Sequence, residues 1–145
     1  MVVNSVFSFP VSSEEMEVIK VRMNEGAIEI SIDEKNVEFH NEPYIDDNGR
    51  TQVPVRELCE YLNKRVYWFE NPQRVAVSKV PAKTEDGKSG HAGGDSIQFV
   101  IDEPKYTING REYQMDTSAR LIDGKAYVPL RVIGEFLNYK VTWQE

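Results

Sequence analysis

Apolar residues recur along this chain with two different periods, and the change from one period to the other itself recurs. Val55, Leu58, Cys59 and Leu62 are spaced i, i+3, i+4 and i+7, which predicts a short helix with one buried face. Leu130, Ile133, Gly134 and Leu137 repeat that spacing. Pro54 and Pro129 stand where each helix begins, a place at which proline's missing N–H leaves no bond unmade. Asn63 and Asn138 stand where each ends, and asparagine accepts the left-handed conformation of a C-terminal cap. Around the helices, residues 28–32, 37–39, 74–77, 97–101 and 111–115 alternate or cluster apolar β-formers, as half-buried strands do. Asp33-Glu34-Lys35-Asn36 and Asn109-Gly110 read as the turns between them, the second being a strong hairpin signal.

The two helix patterns belong to one longer repeat. Residues 53–68 (VPVRELCEYLNKRVYW) align with residues 128–143 (VPLRVIGEFLNYKVTW) without a gap, at a constant offset of 75. Eight of 16 positions are identical, where unrelated segments would share about one, so duplication is the better account. The identities are Val53/Val128, Pro54/Pro129, Arg56/Arg131, Glu60/Glu135, Leu62/Leu137, Asn63/Asn138, Val66/Val141 and Trp68/Trp143. Upstream, Gly49-Arg50 faces Gly124-Lys125, and Ile32, Val37 and Phe39 face Ile108, Tyr113 and Met115 at an offset of 76. The one-residue difference fits the tip Asp46-Asp47-Asn48-Gly49, because loop tips tolerate insertion.

The expected architecture is α+β: two repeated units, each a small antiparallel β-sheet wrapped on one short α-helix. Residues 1–25 form an N-terminal strand segment or tail, 26–80 the first unit, 81–95 a flexible loop or linker rich in Gly, Lys and Ser, and 96–145 the second unit. The second unit stops at Trp143-Gln144-Glu145 and lacks a counterpart of the strand at 74–79, which leaves a sheet edge to cover. The β-prone stretch Val2 to Val11 is the expected cover.

Gly-Arg-x-x-Val-Pro-x-Arg, then Glu-x-Leu-Asn and Val-x-Trp, with its second occurrence, resembles the repeat of the copper amine oxidase N-terminal domain-like family, also called stalk domains. The family's usual Glu-x-Leu-Gly is replaced here by Asn63 and Asn138, the next best residue for a C-cap. The resemblance covers most of the chain outside residues 1–25 and 80–95. It implies a small antiparallel sheet wrapped on a helix, used in tandem as an accessory module of secreted, cell-surface or cell-wall proteins of Gram-positive-type bacteria, and so an extracellular location. It does not imply oxidase chemistry, since the copper and quinone of the enzyme that names the family lie in other domains.

Composition limits the partners. Over 145 residues, 24 acidic against 17 basic side chains give a formal charge of −7 with no basic run, which argues against nucleic acid and anionic surfaces. One cysteine excludes an intramolecular disulfide, and two histidines, His40 and His91, fall short of a copper site, so no metal and no cofactor is expected. No stretch is long enough to insert in a membrane as a helix, and the start MVVNSVFSFPVSSEE lacks the basic n-region of a secretion signal.

Candidate chemistry is sparse, and the chain is expected not to be an enzyme. Arg56/Glu60 and Arg131/Glu135 sit at i and i+4, the spacing of a helix-surface ion pair, and their duplication marks them as scaffold. With Pro54, Trp68, Pro129 and Trp143 they form the structural repeat motif, the tryptophans being expected in the core. Tyr67, Phe69 and Tyr139 lie outside the repeated apolar pattern and are the expected binding surface, together with the loops 40–48 and 80–95. Asp46, Asp47 and Asn48 resemble half a calcium loop but lack its remaining ligands, which leaves an Asx-type turn. Cys59 is expected as an inert core thiol. The function these features favour is a spacer or binding module of a larger protein, contacting other domains of the parent chain, envelope polysaccharide or protein. The alternative is a substrate-positioning or regulatory domain of an attached cell-wall hydrolase or protease.

Overall fold

The computed structural model describes residues 17–82 and 94–144. The segment Val2 to Val11, most of the expected loop 81–95, and His91 lie outside the described residues.

The chain enters with a hairpin of β1 (Glu17–Asn24) and β2 (Ala27–Ile32), in which buried Ile19 and Val21 face buried Ile32 and Ile30. Asp33 and Glu34, both at positive φ, turn the chain into β3 (Lys35–Asn36). The strand expected at 37–39 does not form. One further bond joins the Val37 N–H to the Ile30 carbonyl at 2.9 Å, and the chain then leaves the sheet. The reason is local: the N–H groups of His40 and Asn41 find the Glu57 carboxylate at 2.7 and 3.2 Å instead of a strand.

Next come β4 (Tyr44–Ile45), β5 (Thr51–Pro54), α1 (Val55–Leu62), β6 (Lys64–Phe69) and β7 (Arg74–Pro81). The second half holds β8 (Ser96–Val100), β9 (Lys105–Ile108), β10 (Arg111–Gln114), β11 (Arg120–Ile122), β12 (Lys125–Pro129), α2 (Leu130–Phe136) and β13 (Tyr139–Gln144). Both helices start directly after a proline in extended conformation; Asn63, at φ 59°, caps α1 as expected, whereas α2 is capped by Leu137 at φ −85° and Asn138, at φ 72°, follows one residue later. Val80 and Pro81 belong to β7, so the loop begins later than its composition suggests. β7 and β8 are antiparallel neighbours, so it connects two strands of one sheet.

Among the described residues three sheets result, in strand order β13-β1-β2-β3, β10-β9-β8-β7-β6 and β11-β12-β5-β4. Each draws strands from both halves of the chain. The edge of β13 is covered by β1, and the two run parallel, with Ile19 opposite Val141 and Val21 opposite Trp143. All other pairings among the described residues are antiparallel. In the third of these sheets β5 lies against β12, with Val53 opposite Val128.

The apolar faces of the three sheets and two helices meet in one core. Ile19, Val53, Leu58, Cys59, Phe99, Val128, Leu130 and Ile133 are all fully buried in it. Burial of this continuous apolar surface, contributed by both halves, is the main stabilising term. Over the described residues the fold is α+β, mostly strand, with two short helices.

Candidate functional site

The Val-Pro step ends a strand and starts a helix, which turns the side chains of the first helical turn toward the neighbouring half of the chain. In α1 the apolar positions Val55, Leu58 and Cys59 go into the core, so Arg56, Glu57 and Glu60 point outward. Period-2 alternation in β6 then sorts Val66 and Trp68 to the helix side and Tyr67 and Phe69 to the outside. Between α1, β6, β7 and the turn from β11 to β12 lies a groove of about 520 Å³. Its floor is Pro54, Val66, Trp68 and Val75, and its rim carries Asn41, Arg56, Glu60, Gln73 and Lys125.

Two glutamates organise this groove. Glu70 accepts the Trp68 indole N–H at 2.5 Å and thereby fixes the plane of the ring. Glu57 takes the His40 and Asn41 N–H groups and also Asn41 Nδ2 at 2.6 Å, pinning the 40–41 loop to the rim. Arg56 and Glu60 do not form the expected ion pair, and neither has another partner among the described residues. The equivalent Arg131 and Glu135 do pair, at 3.5 Å.

A second groove, of about 730 Å³, lies on the other helix. Pro129, Arg131 and Trp143 take the places of Pro54, Arg56 and Trp68, while Gly49 and Arg50 take those of Gly124 and Lys125. Each groove therefore combines the helix start of one half with the turn of the other. Here the cations are already matched: Arg50 Nε lies 3.0 and 3.1 Å from the two Asp116 oxygens, and its Nη2 also contacts Oδ2. Those bonds hold the Asp116 carboxyl below its ordinary range. Trp143 is 42% exposed, against the expectation of a core residue. Glu70, Gln73 and Val75, which line the first groove with Trp68, have no equivalent among the described residues of this one. Trp68 itself is partly buried and packs against the core.

The expected binding aromatics fall on two sheets. Tyr67 and Phe69 are neighbours on the outer face of β6, where Arg74 lies over the Phe69 ring at 4.9 Å and Arg65 Nη1 donates to the Tyr67 hydroxyl at 3.1 Å. Tyr139 stands on β13 opposite Glu17, and burial, with the Glu17 carboxylate beside it, pushes its phenol well above the ordinary value. Asp46 forms a turn: Oδ1 accepts from the Asn48 and Arg50 N–H groups at 2.9 and 3.0 Å, and Oδ2 from Gln52 Nε2 at 2.9 Å and from the Thr117 hydroxyl. Cys59 is buried, and burial pushes its thiol up to about 12, far from a nucleophile's range.

The motif residues are legible in the sequence but the grooves are not, since each groove needs residues about 70 or more positions apart. The signal that could have found them is the pairing of Gly49-Arg50 with Gly124-Lys125 in the repeat, which marks a turn shared by both halves. Among the described residues no group of three or more His, Cys, Asp or Glu is arranged to hold a metal ion, and no helix is long and apolar enough to cross a membrane.

No curated protein and no solved structure is significantly similar to the chain. The sequence profile of the copper amine oxidase N-terminal domain, a non-catalytic accessory domain, matches residues 31–145. With that match spanning both helices, both grooves and every strand from β3 onward, the chain belongs to the copper amine oxidase N-terminal domain family.

Proposed function

We propose that the chain is a tandem pair of stalk-like units serving as a non-catalytic accessory module of a larger bacterial surface or secreted protein, where it contacts envelope glycan or a neighbouring protein. The observation that carries this reading is the equivalence of the two grooves: positions 75 residues apart line both. Arg56, Glu57 and Glu60 combine with a tryptophan and an apolar floor, which is the make-up of a contact surface.

The extracellular location follows from the kind of parent protein proposed and is tested with it. Purified bacterial cell wall is incubated with the chain at low and at moderate salt, and bound protein is measured after sedimentation. Retention at both salt concentrations is expected for a glycan contact. Failure to sediment at either would overturn the wall-contact reading.

A further inference from the structure

The groove over Trp68 carries a narrower assignment, one that rests on the accessory-module reading. We infer that it binds an uncharged oligosaccharide and is assembled jointly by the two halves of the chain. A volume of about 520 Å³ lies within the range of small-ligand sites and suits a segment of about two sugar rings.

The chemistry of the lining selects the ligand. A pyranose has an apolar C–H face and a rim of hydroxyls that both donate and accept. The floor offers the Trp68 ring beside Pro54, Val66 and Val75 for the first. For the second, Arg56 and Lys125 donate, Glu60 accepts, and Asn41 and Gln73 can do both. The platform is set before a ligand arrives, because Glu70 already holds the indole N–H and Glu57 already holds the 40–41 loop. Preorganisation of this kind lowers the ordering cost of binding.

The Arg56 and Glu60 side chains remain without partners among the described residues, whereas the matching Arg131 and Glu135 form an ion pair at 3.5 Å. The Trp68 groove thus leaves free a charged pair whose counterpart on the other helix is engaged. Glu57, Glu60 and Glu70 stand against Arg56 and Lys125, and the whole chain carries −7, so a polyanion would be repelled. Lys125 and Gly124 come from the second half, Arg56 and Trp68 from the first, so neither half alone would make the site.

The test uses the full chain and three uncharged probes, N-acetylchitotetraose, cellotetraose and maltotetraose, with binding followed by calorimetry and by tryptophan emission. In a Trp143→Phe background the remaining emission reports Trp68, and at least one probe should change it saturably. Arg56→Ala and Glu60→Gln, both exposed and foldable, should each weaken binding about tenfold, while Arg131→Ala should not. No response to any of the three probes overturns the assignment, as does binding that ignores Arg56→Ala and Glu60→Gln. Saturable binding of tri-lysine at this groove with none of the sugars would replace a glycan by a cationic peptide. Cell-wall retention separates the two readings: retention unchanged in Arg56→Ala sinks the groove and leaves the accessory module standing. Probe binding without retention leaves the groove standing and overturns only the wall contact.

Discussion

Val53 and Val128 face each other across the ladder between β5 and β12, and they occupy the same place in the two Val-Pro-x-Arg segments. A residue that pairs with its own counterpart lies beside a local two-fold axis. The flanking pairs agree, since Pro54 lies opposite Tyr127 and Pro129 opposite Gln52. This one contact explains why each groove takes its helix from one half and its turn from the other: an antiparallel pairing at the motif brings each Val-Pro step alongside the turn that precedes the other.

Both valines are fully buried, so truncating either removes core contacts at the junction of the halves. Val53→Ala and Val128→Ala should each destabilise the fold by roughly 2 kcal/mol. As direct neighbours they should also couple, with the double variant departing from additivity by more than about 0.5 kcal/mol. Urea unfolding of the four proteins of the cycle measures both quantities. Strict additivity would mean that the two halves fold without sensing each other at this contact.

Asp46 links the β4–β5 turn to the second half through Gln52 and Thr117. Desolvation alone would raise its pKa, but hydrogen bonds from Gln52, Thr117 and the backbone of Arg50 and Asn48 outweigh it and leave the carboxyl below 3.8. A depressed folded-state pKa stabilises above the unfolded value, and that stability is lost as pH falls through the lower folded value. Asp46→Asn turns an amide toward the Gln52 donor, and at pH 7 it should cost on the order of 1 kcal/mol, allowing for partial exposure. Stability curves of the two proteins from pH 7 downward should converge in acid. Parallel curves would show that the carboxylate charge contributes nothing.

Much of the local structure was legible in the residues, and little of the assembly was. Pro54 and Pro129 start the helices, Asn63 caps the first and Asn138 turns the chain one residue past the cap of the second, because proline and asparagine act through their own backbone angles. Nothing local marks β1 as the parallel partner of β13, since a strand's alternation names its buried face and not its neighbour. The Trp68 groove stayed hidden for the same reason. Arg56 and Lys125 meet only because β5 pairs with β12, so Arg56 read alone looked like half of a helix-surface ion pair.

Cys59 is fully buried on α1, and its thiol is pushed up to about 12 by burial. At pH 8 the folded chain should therefore resist alkylation by iodoacetamide, and labelling should appear only along the unfolding transition in urea. Mass spectrometry of trapped samples counts the modified fraction. Rapid labelling without denaturant would place this helix face in solvent and contradict the core described above.

Gly134 occupies the place on α2 that Cys59 occupies on α1, and the two positions are not interchangeable. A Cβ at Gly134 would lie 2.8 Å from Val141 Cγ2 and 3.3 Å from Ile19 Cδ1, the side chains that face each other across the parallel pair of β13 and β1. Alanine would gain about 1 kcal/mol in helix propensity over glycine. Against that, valine is stiff at χ1 and cannot swing aside, so overpacking should cost about 1–3 kcal/mol. Gly134→Ala should thus be destabilising by about 1 kcal/mol in urea. Adding Val141→Ala clears the obstructing methyl, so the double variant should lose less stability than the sum of the single losses. A Gly134→Ala protein more stable than the parent would mean that helix propensity alone decides the position, and that α2 does not rest closely on the β1–β13 pair.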